Sequence, residues 1–284
     1  MSKYRQIVYI AYRQFIEELW TPRVAAAYML GLLEVLRKGI PYLQYAQDRS
    51  IQCFEIFDIV LANDANFLMY FTGALLILSS APFVTSRSLG MIHRTTRKNW
   101  GMAMILQMCM QVCCYVLFLL LSSVLIALPK AYVGNVWSTP FYVMAKFDSV
   151  TVSQNYSYLN IPEVLLGSSP YVVTLHNILL MMLYFITIGM LIYVFNLNVH
   201  KYAGTVIAAG VHMVGFLIWD ALELERFRWL ALPQRAVYTL ILEYGQSPIK
   251  SYLIFGILIL FLSMLLEKML AYTDFKTSVG GMEH

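Results

Sequence analysis

Six apolar runs, separated by polar or aromatic-rich stretches, set the plan of the chain. They fall at about residues 24–45, 67–84, 101–128, 171–196, 203–219 and 249–272. A helix rises about 1.5 Å per residue and the hydrocarbon core of a bilayer is about 30 Å thick, so roughly 20 apolar residues cross it. The pattern predicts an all-α polytopic membrane protein with six transmembrane helices. The first run is interrupted: after ten apolar residues come Glu34, Arg37 and Lys38. Ten helical residues cover only about 15 Å, and an unpaired charge near the bilayer centre costs roughly 2.5–3.5 kcal/mol. Glu34 can reach Arg37 and Lys38 one turn on, where an ion pair lowers that cost. Glu34 and Arg37 are therefore candidate intramembrane pathway residues, and a snorkelling pair at the outer edge of a tilted helix accounts for them equally well.

The residues ahead of the first run follow a different period. At 100° per residue, Val8, Tyr12, Phe15, Ile16, Leu19 and Trp20 share one side, with Gln6, Arg13, Gln14, Glu17 and Glu18 on the other. Such a face predicts an interfacial helix along the membrane surface; a helix packed on a soluble partner is the alternative. Thr21-Pro22-Arg23 then turns the chain into the bilayer. Residues 1–23 are read as a cytoplasmic elbow helix, 24–272 as the six-span domain, and 273–284 as a cytoplasmic tail.

Between the runs, 41–66 reads as an outer loop carrying Asp48, Glu55, Asp58 and Asp64, with Ile51–Leu61 as a short interfacial helix. Residues 129–170 read as an ordered outer cap. Residues 220–250 are too broken to span and suit short helices dipping into the outer leaflet under protein cover. The link 81–100 is different. It carries Arg87, His93, Arg94, Arg97 and Lys98 and no acidic residue, so it belongs on the cytoplasmic side, where positive charge is retained. With six spans, both termini then lie inside, in a multi-pass protein of the cell membrane.

Composition agrees: 60% of the residues are hydrophobic and 13% charged, against about 25% charged in soluble domains. A net charge of +4 is explained by topology and argues for no nucleic-acid partner. Cys109 and Cys113 stand one turn apart, but no His or carboxylate joins them on that run, so they read as packing and no metal site is expected. The first apolar run starts only at Val24, which argues against a cleavable leader. Gln107, Gln111, His176 and His212 are polar residues inside apolar runs. They are candidates for a pathway, with helix-joining or packing roles as the plainer reading. Gly204, Ala208, Val211 and Gly215 recur at 4-3-4 spacing and would let another helix approach closely. His176, His212 and Glu34 lie on different runs without H-E-x-x-H or G-x-S-x-G spacing, so no enzyme activity is expected.

An amphipathic leading helix, six spans, a basic first inner loop and broken helices before the last span together resemble the permease subunits of ABC-2 type exporters. Locally, Ala81-Pro82-Phe83 followed by Arg94, Arg97 and Trp100 is similar to the inner-loop pattern of such permeases from Gram-positive bacteria. Those relatives often place an acidic residue before Ala-Pro-Phe and a Gly between the arginines, where this chain has Ser80 and Thr96. The resemblance implies two permeases, identical or not, each docked on a separate cytoplasmic ABC ATPase through the elbow helix and a coupling helix at Ser86–Arg97. The spans at 24–45 and 203–219 are the candidate dimer faces. No Walker loop occurs in the chain, so ATP and Mg would sit on the partner, and the cargo would be an amphiphile such as a peptide, antibiotic or lipid. A non-transporting immunity, sensor or assembly subunit is the alternative, and an intramembrane enzyme using His176, His212 and Glu34 a less favoured one.

Overall fold

A computed structural model describes residues 3–62, 64–82, 95–147, 159, 162–199, 202–218 and 230–272. Among them are ten α-helices: α1 (Lys3–Leu19), α2 (Pro22–Ala46), α3 (Glu55–Leu61), α4 (Asp64–Leu78), α5 (Arg97–Ala127), α6 (Thr139–Lys146), α7 (Pro170–Asn198), α8 (Ala203–Phe216), α9 (Tyr238–Glu243) and α10 (Pro248–Tyr272). Two short strands, β1 (Ile51–Gln52) and β2 (Ala131–Tyr132), pair in parallel with Ile51 opposite Ala131.

The protein is all-α in its bundle and built for a membrane. Three stretches are long and apolar enough to cross one: Arg97–Lys130, Pro170–Asn198 and Pro248–Leu270. Helix α2 qualifies only together with α1, and the pair is bent by 72° at the break between them. The runs expected to span at 67–84 and 203–219 are shorter as helices, with apolar parts Phe67–Leu78 and Ala203–Phe216. At 1.5 Å per residue these cover about 18 and 21 Å, less than a hydrocarbon core.

Local chemistry explains the helix starts. Proline at the first helical position loses no hydrogen bond, since that N–H has no partner in the helix anyway, and it opens α2 and α7. Ser138 caps α6 by accepting from Phe141 N, and Thr96 caps α5 by accepting from Asn99 N. Because the α5 cap is Thr96, Arg97 and Lys98 fall in the first turn of a long helix and not in the preceding link.

Helix α7 is the centre of the bundle, packed by α3, α4, α5, α8, α9 and α10. Its buried side chains include Leu180, Met181, Tyr184, Phe185, Ile188, Ile192 and Tyr193. Helix α2 lies against α4 and α5, and α1 packs along α5. At Gly73 of α4 an added methyl group would lie 2.1 Å from the Tyr115 hydroxyl, which donates to the Tyr70 carbonyl. Only glycine lets that tyrosine cross there.

Two expected placements are corrected. In α1 the face turned into the protein is Ile10, Ala11, Gln14, Phe15 and Glu18, so Gln14 and Glu18, read as polar-face residues, are buried against neighbours. Tyr4, Val8, Tyr12 and Ile16 instead form an exposed apolar stripe at four-residue spacing, with Trp20 beyond the helix end also exposed. In α3, every residue is buried, so this segment is an interior plug and not an interfacial helix.

Candidate functional site

Polar chemistry concentrates at the two ends of α7. At its C-terminal end, the elbow between α1 and α2 meets the end of α4. Arg23, in the first turn of α2, donates from Nη2 to Glu18 Oε2 at 2.7 Å and to Ser80 Oγ at 2.6 Å, and from Nη1 to Ser79 Oγ at 3.2 Å. The Thr21 hydroxyl closes the elbow on the Glu18 carbonyl at 2.8 Å. Burial pushes the Glu18 carboxyl up from its ordinary range and Arg23 pulls it back. Asn196 of α7 completes the junction: its Nδ2 donates to Ala81 O at 2.6 Å and its Oδ1 accepts from Gly204 N at 2.8 Å. Helices α1, α2, α4, α7 and α8 thus converge on Ser79–Ala81, the root of the basic link.

The small-residue face of α8 is used here within the chain. A methyl group on Gly204 would lie 2.3 Å from the Ile192 carbonyl oxygen, and one on Gly215 would lie 2.5 Å from Pro233 Cδ, while Ala208 is fully buried. Of the basic-link residues, Arg87, His93 and Arg94 lie outside the described residues. Arg97 and Lys98 border a cleft of about 570 Å³ between α5 and α10, lined by Gly101, Met102, Ile105 and Leu270. Lys98 Nζ is 2.5 Å from Glu267 Oε1, with both side chains mostly exposed.

At the N-terminal end of α7 sits a buried carboxylate pair on α3. Glu55 receives four donors: Ser138 N at 2.6 Å on Oε1, and Tyr42 OH at 2.7 Å, Ser138 Oγ at 2.8 Å and Gln52 N at 3.1 Å on Oε2. Each oxygen accepts from a backbone N–H of fixed direction. Burial raises the Glu55 carboxyl above its ordinary range, and these four bonds pull it part of the way back. Asp58, one turn on and fully buried, has two donors, Thr174 Oγ1 at 2.8 Å and Asn177 Nδ2 at 2.9 Å. Asn177 Oδ1 in turn accepts from Tyr238 N at 2.9 Å, tying α9 to the same node. Burial, with the Glu55 charge adding to it, pushes Asp58 up to about 7.

The other sequence candidates each have their own surroundings and do not assemble into one site. Glu34 forms a two-pronged pair with Arg37 at 2.6 and 2.8 Å, the acid buried and the guanidinium 43% exposed, as the i,i+3 spacing suggested. His212 accepts or donates at 2.8 Å with Tyr184 OH and stacks on Phe71 at 3.7 Å. His176 lies 2.7 Å from Tyr252 OH and stacks on Tyr238 at 4.5 Å. Gln107 and Gln111 are buried in α5, and, as for Gln14 in α1, neither atom of either amide has a hydrogen-bond partner among the described residues. Among the described residues no group of three His, Cys, Asp or Glu could hold a metal. Sequence reading passed over Glu55, Asp58, Ser79 and Asn196 as site residues. The signal for the first two was two acids one turn apart in the otherwise apolar stretch 51–61.

Comparison finds no matching family model, no similar curated protein and no similar solved structure.

Proposed function

We propose that this chain is the transmembrane permease subunit of an ABC-2 type transporter, exporting an amphiphilic cargo with energy from a separate ATPase. In this reading six segments cross the membrane, with α4 and α8 as its short spans and both termini on the cytoplasmic side. The observation that carries it is the Arg23 junction. A motor pushing on a basic link must pass force to the helices, and Arg23 ties the elbow helix directly to Ser79 and Ser80, where that link begins. Asn196 extends the same junction to α7 and α8. The exposed aromatic stripe of α1 suits a helix seated at the membrane surface beside a docked ATPase.

The test is purification of the full chain from its native membrane, followed by identification of what accompanies it. A nucleotide-binding subunit in fixed ratio is expected. Charge reversal at Arg94 and Arg97 should uncouple that subunit's ATP hydrolysis from the permease. Hydrolysis and association both unchanged by the reversals would sink coupling through this link. Absence of any nucleotide-binding subunit would favour the sensor or immunity reading.

A further inference from the structure

We infer that Asp58 is a reversible proton-binding site, built so that the charged and the neutral carboxyl are both fully hydrogen-bonded without movement of heavy atoms. The inference stands independently of the transport reading. The key is Thr174, whose Oγ1 lies 2.8 Å from Asp58 Oδ2 and 2.9 Å from the Pro170 carbonyl oxygen. A hydroxyl has one proton to give and lone pairs to receive with. When Asp58 is ionised, Thr174 donates to Oδ2. When Oδ2 takes a proton, that new O–H donates to Thr174 Oγ1, and the threonine proton turns to the Pro170 carbonyl. Asn177 Nδ2 donates to Oδ1 in both states, held in orientation by Tyr238 N on its own oxygen. One proton enters, no other bond is broken, and no donor or acceptor is left unpaired.

Glu55, one turn away, is held differently. Both of its oxygens face backbone N–H groups, which cannot turn away. Asp58 faces a rotatable hydroxyl instead, and among the described residues no backbone N–H donates to either oxygen. Among the described residues no cation bonds to it, which leaves the proton as its means of neutralisation. Among the described residues Glu55 is the charged group that acts on it, and a negative charge there disfavours a second one at Asp58. Tyr42 of α2 is turned to Glu55, and His176 of α7 is turned away onto Tyr238 and Tyr252. From α5, Ser122 and Ser123 bond to carbonyls of their own helix. An isolated buried carboxylate facing a negative neighbour neutralises by binding a proton sooner than by remaining charged.

The experiment is infrared difference spectroscopy on the full chain in lipid nanodiscs, titrated between about pH 5 and about pH 9 around the neutral range. A protonated-carboxyl stretch that disappears with rising pH, shifts in heavy water and is missing in Asp58→Asn is expected. Thr174→Val removes a donor to the charged form and should move the midpoint up by about one pH unit or more. Thr174→Ser keeps the hydroxyl and should return it. If Asp58→Asn does not fold, the Val and Ser variants decide alone. No titrating carboxyl in this range, a band that survives in Asp58→Asn, or a midpoint unmoved by Thr174→Val would each overturn the inference.

Discussion

Two isosteric substitutions one turn apart on α3 should behave in opposite ways. Glu55→Gln keeps the shape of the side chain and replaces one oxygen by NH2. If the NH2 takes the Oε1 place it opposes Ser138 N, now 2.6 Å away; if it takes the Oε2 place it opposes Gln52 N and the two hydroxyl donors. No flip of the amide avoids an N–H pointed at an N–H. One charge-assisted bond is lost outright, worth about 1.5–3 kcal/mol, and a buried donor is left unpaired at about 1–3 kcal/mol. A total near 3 kcal/mol is expected, or a fall of roughly 5–10 °C in melting temperature for a chain of this size. Asp58→Asn replaces an oxygen beside Thr174. The new NH2 donates to Thr174 Oγ1, the hydroxyl turns to Pro170 O, and every partner survives. That variant should melt at or above the wild type at pH 8, because it removes a buried charge. The assay is thermal unfolding of the purified chain in one detergent at one scan rate, since membrane-protein melting is rate-dependent. Glu55→Gln melting within about 2 °C of wild type, or above Asp58→Asn, would refute the donor geometry on which both expectations rest.

Four further outcomes follow from the same contacts. Asp58 stands at about 7 in the fold against an ordinary value of 3.8, so the folded chain holds a proton that the unfolded chain releases between the two. Stability from this group is full below about pH 4 and is lost by about pH 7, by as much as about 4 kcal/mol, and a pH series of melting curves should flatten in Asp58→Asn. Gly204→Ala should cost about 1–3 kcal/mol because the methyl group meets backbone at Ile192, whereas Gly210→Ala on the same helix has nothing within 4 Å and should be neutral or stabilising; equal melting of the two would show that α8 does not approach α7 closely. Arg23→Gln leaves Glu18 without its cation in a largely buried place and should cost about 1–3 kcal/mol, read by melting and by protease cleavage at the elbow. Lys98→Ala, by contrast, breaks a pair in which the side chains are 67% and 62% exposed, so melting should move by under about 1 kcal/mol and less still in high salt.

The long helices were legible because their apolar runs are uninterrupted and their starts are chemically marked. Expected runs at 24–45, 171–196 and 249–272 correspond to helices at Pro22–Ala46, Pro170–Asn198 and Pro248–Tyr272, each opened by a proline. Legibility failed where a residue's surroundings come from far along the chain. Glu55 and Asp58 were placed in a loop because hydropathy sees only an acid, while the groups that satisfy them, Ser138 and Asn177, lie 83 and 119 residues away. Gln14 and Glu18 failed for a related reason. A two-sided reading of α1 allows only water and lipid, and α5 supplies a third, protein-facing side. The helical extent of 67–84 was overestimated because apolar composition alone does not say where a helix stops. Helix α4 ends at Leu78, and Ser79–Ala81, where Arg23 and Asn196 bind, lie beyond it.

The two polar nodes use one device twice. Asn177 and Asn196, about 30 Å apart along α7, each donate from Nδ2 to one neighbouring segment and accept at Oδ1 from another. An amide is suited to this because it offers both a donor and an acceptor without a charge that burial would penalise. Between the two clamps α7 presents tightly buried side chains from Leu180 to Val194, so the two nodes are joined by one closely packed helix. Protonation of Asp58 does not release the Asn177 clamp, since that bond is made to Oδ1 in either state. What changes is the Thr174 hydroxyl, which passes between α3 and the first turn of α7. The proton therefore reverses the direction of the Thr174 bond that ties α3 to α7, while the Asn177 bond stays as it was. A carboxylate released from α7 without such a substitute bond would instead unfasten both elements together.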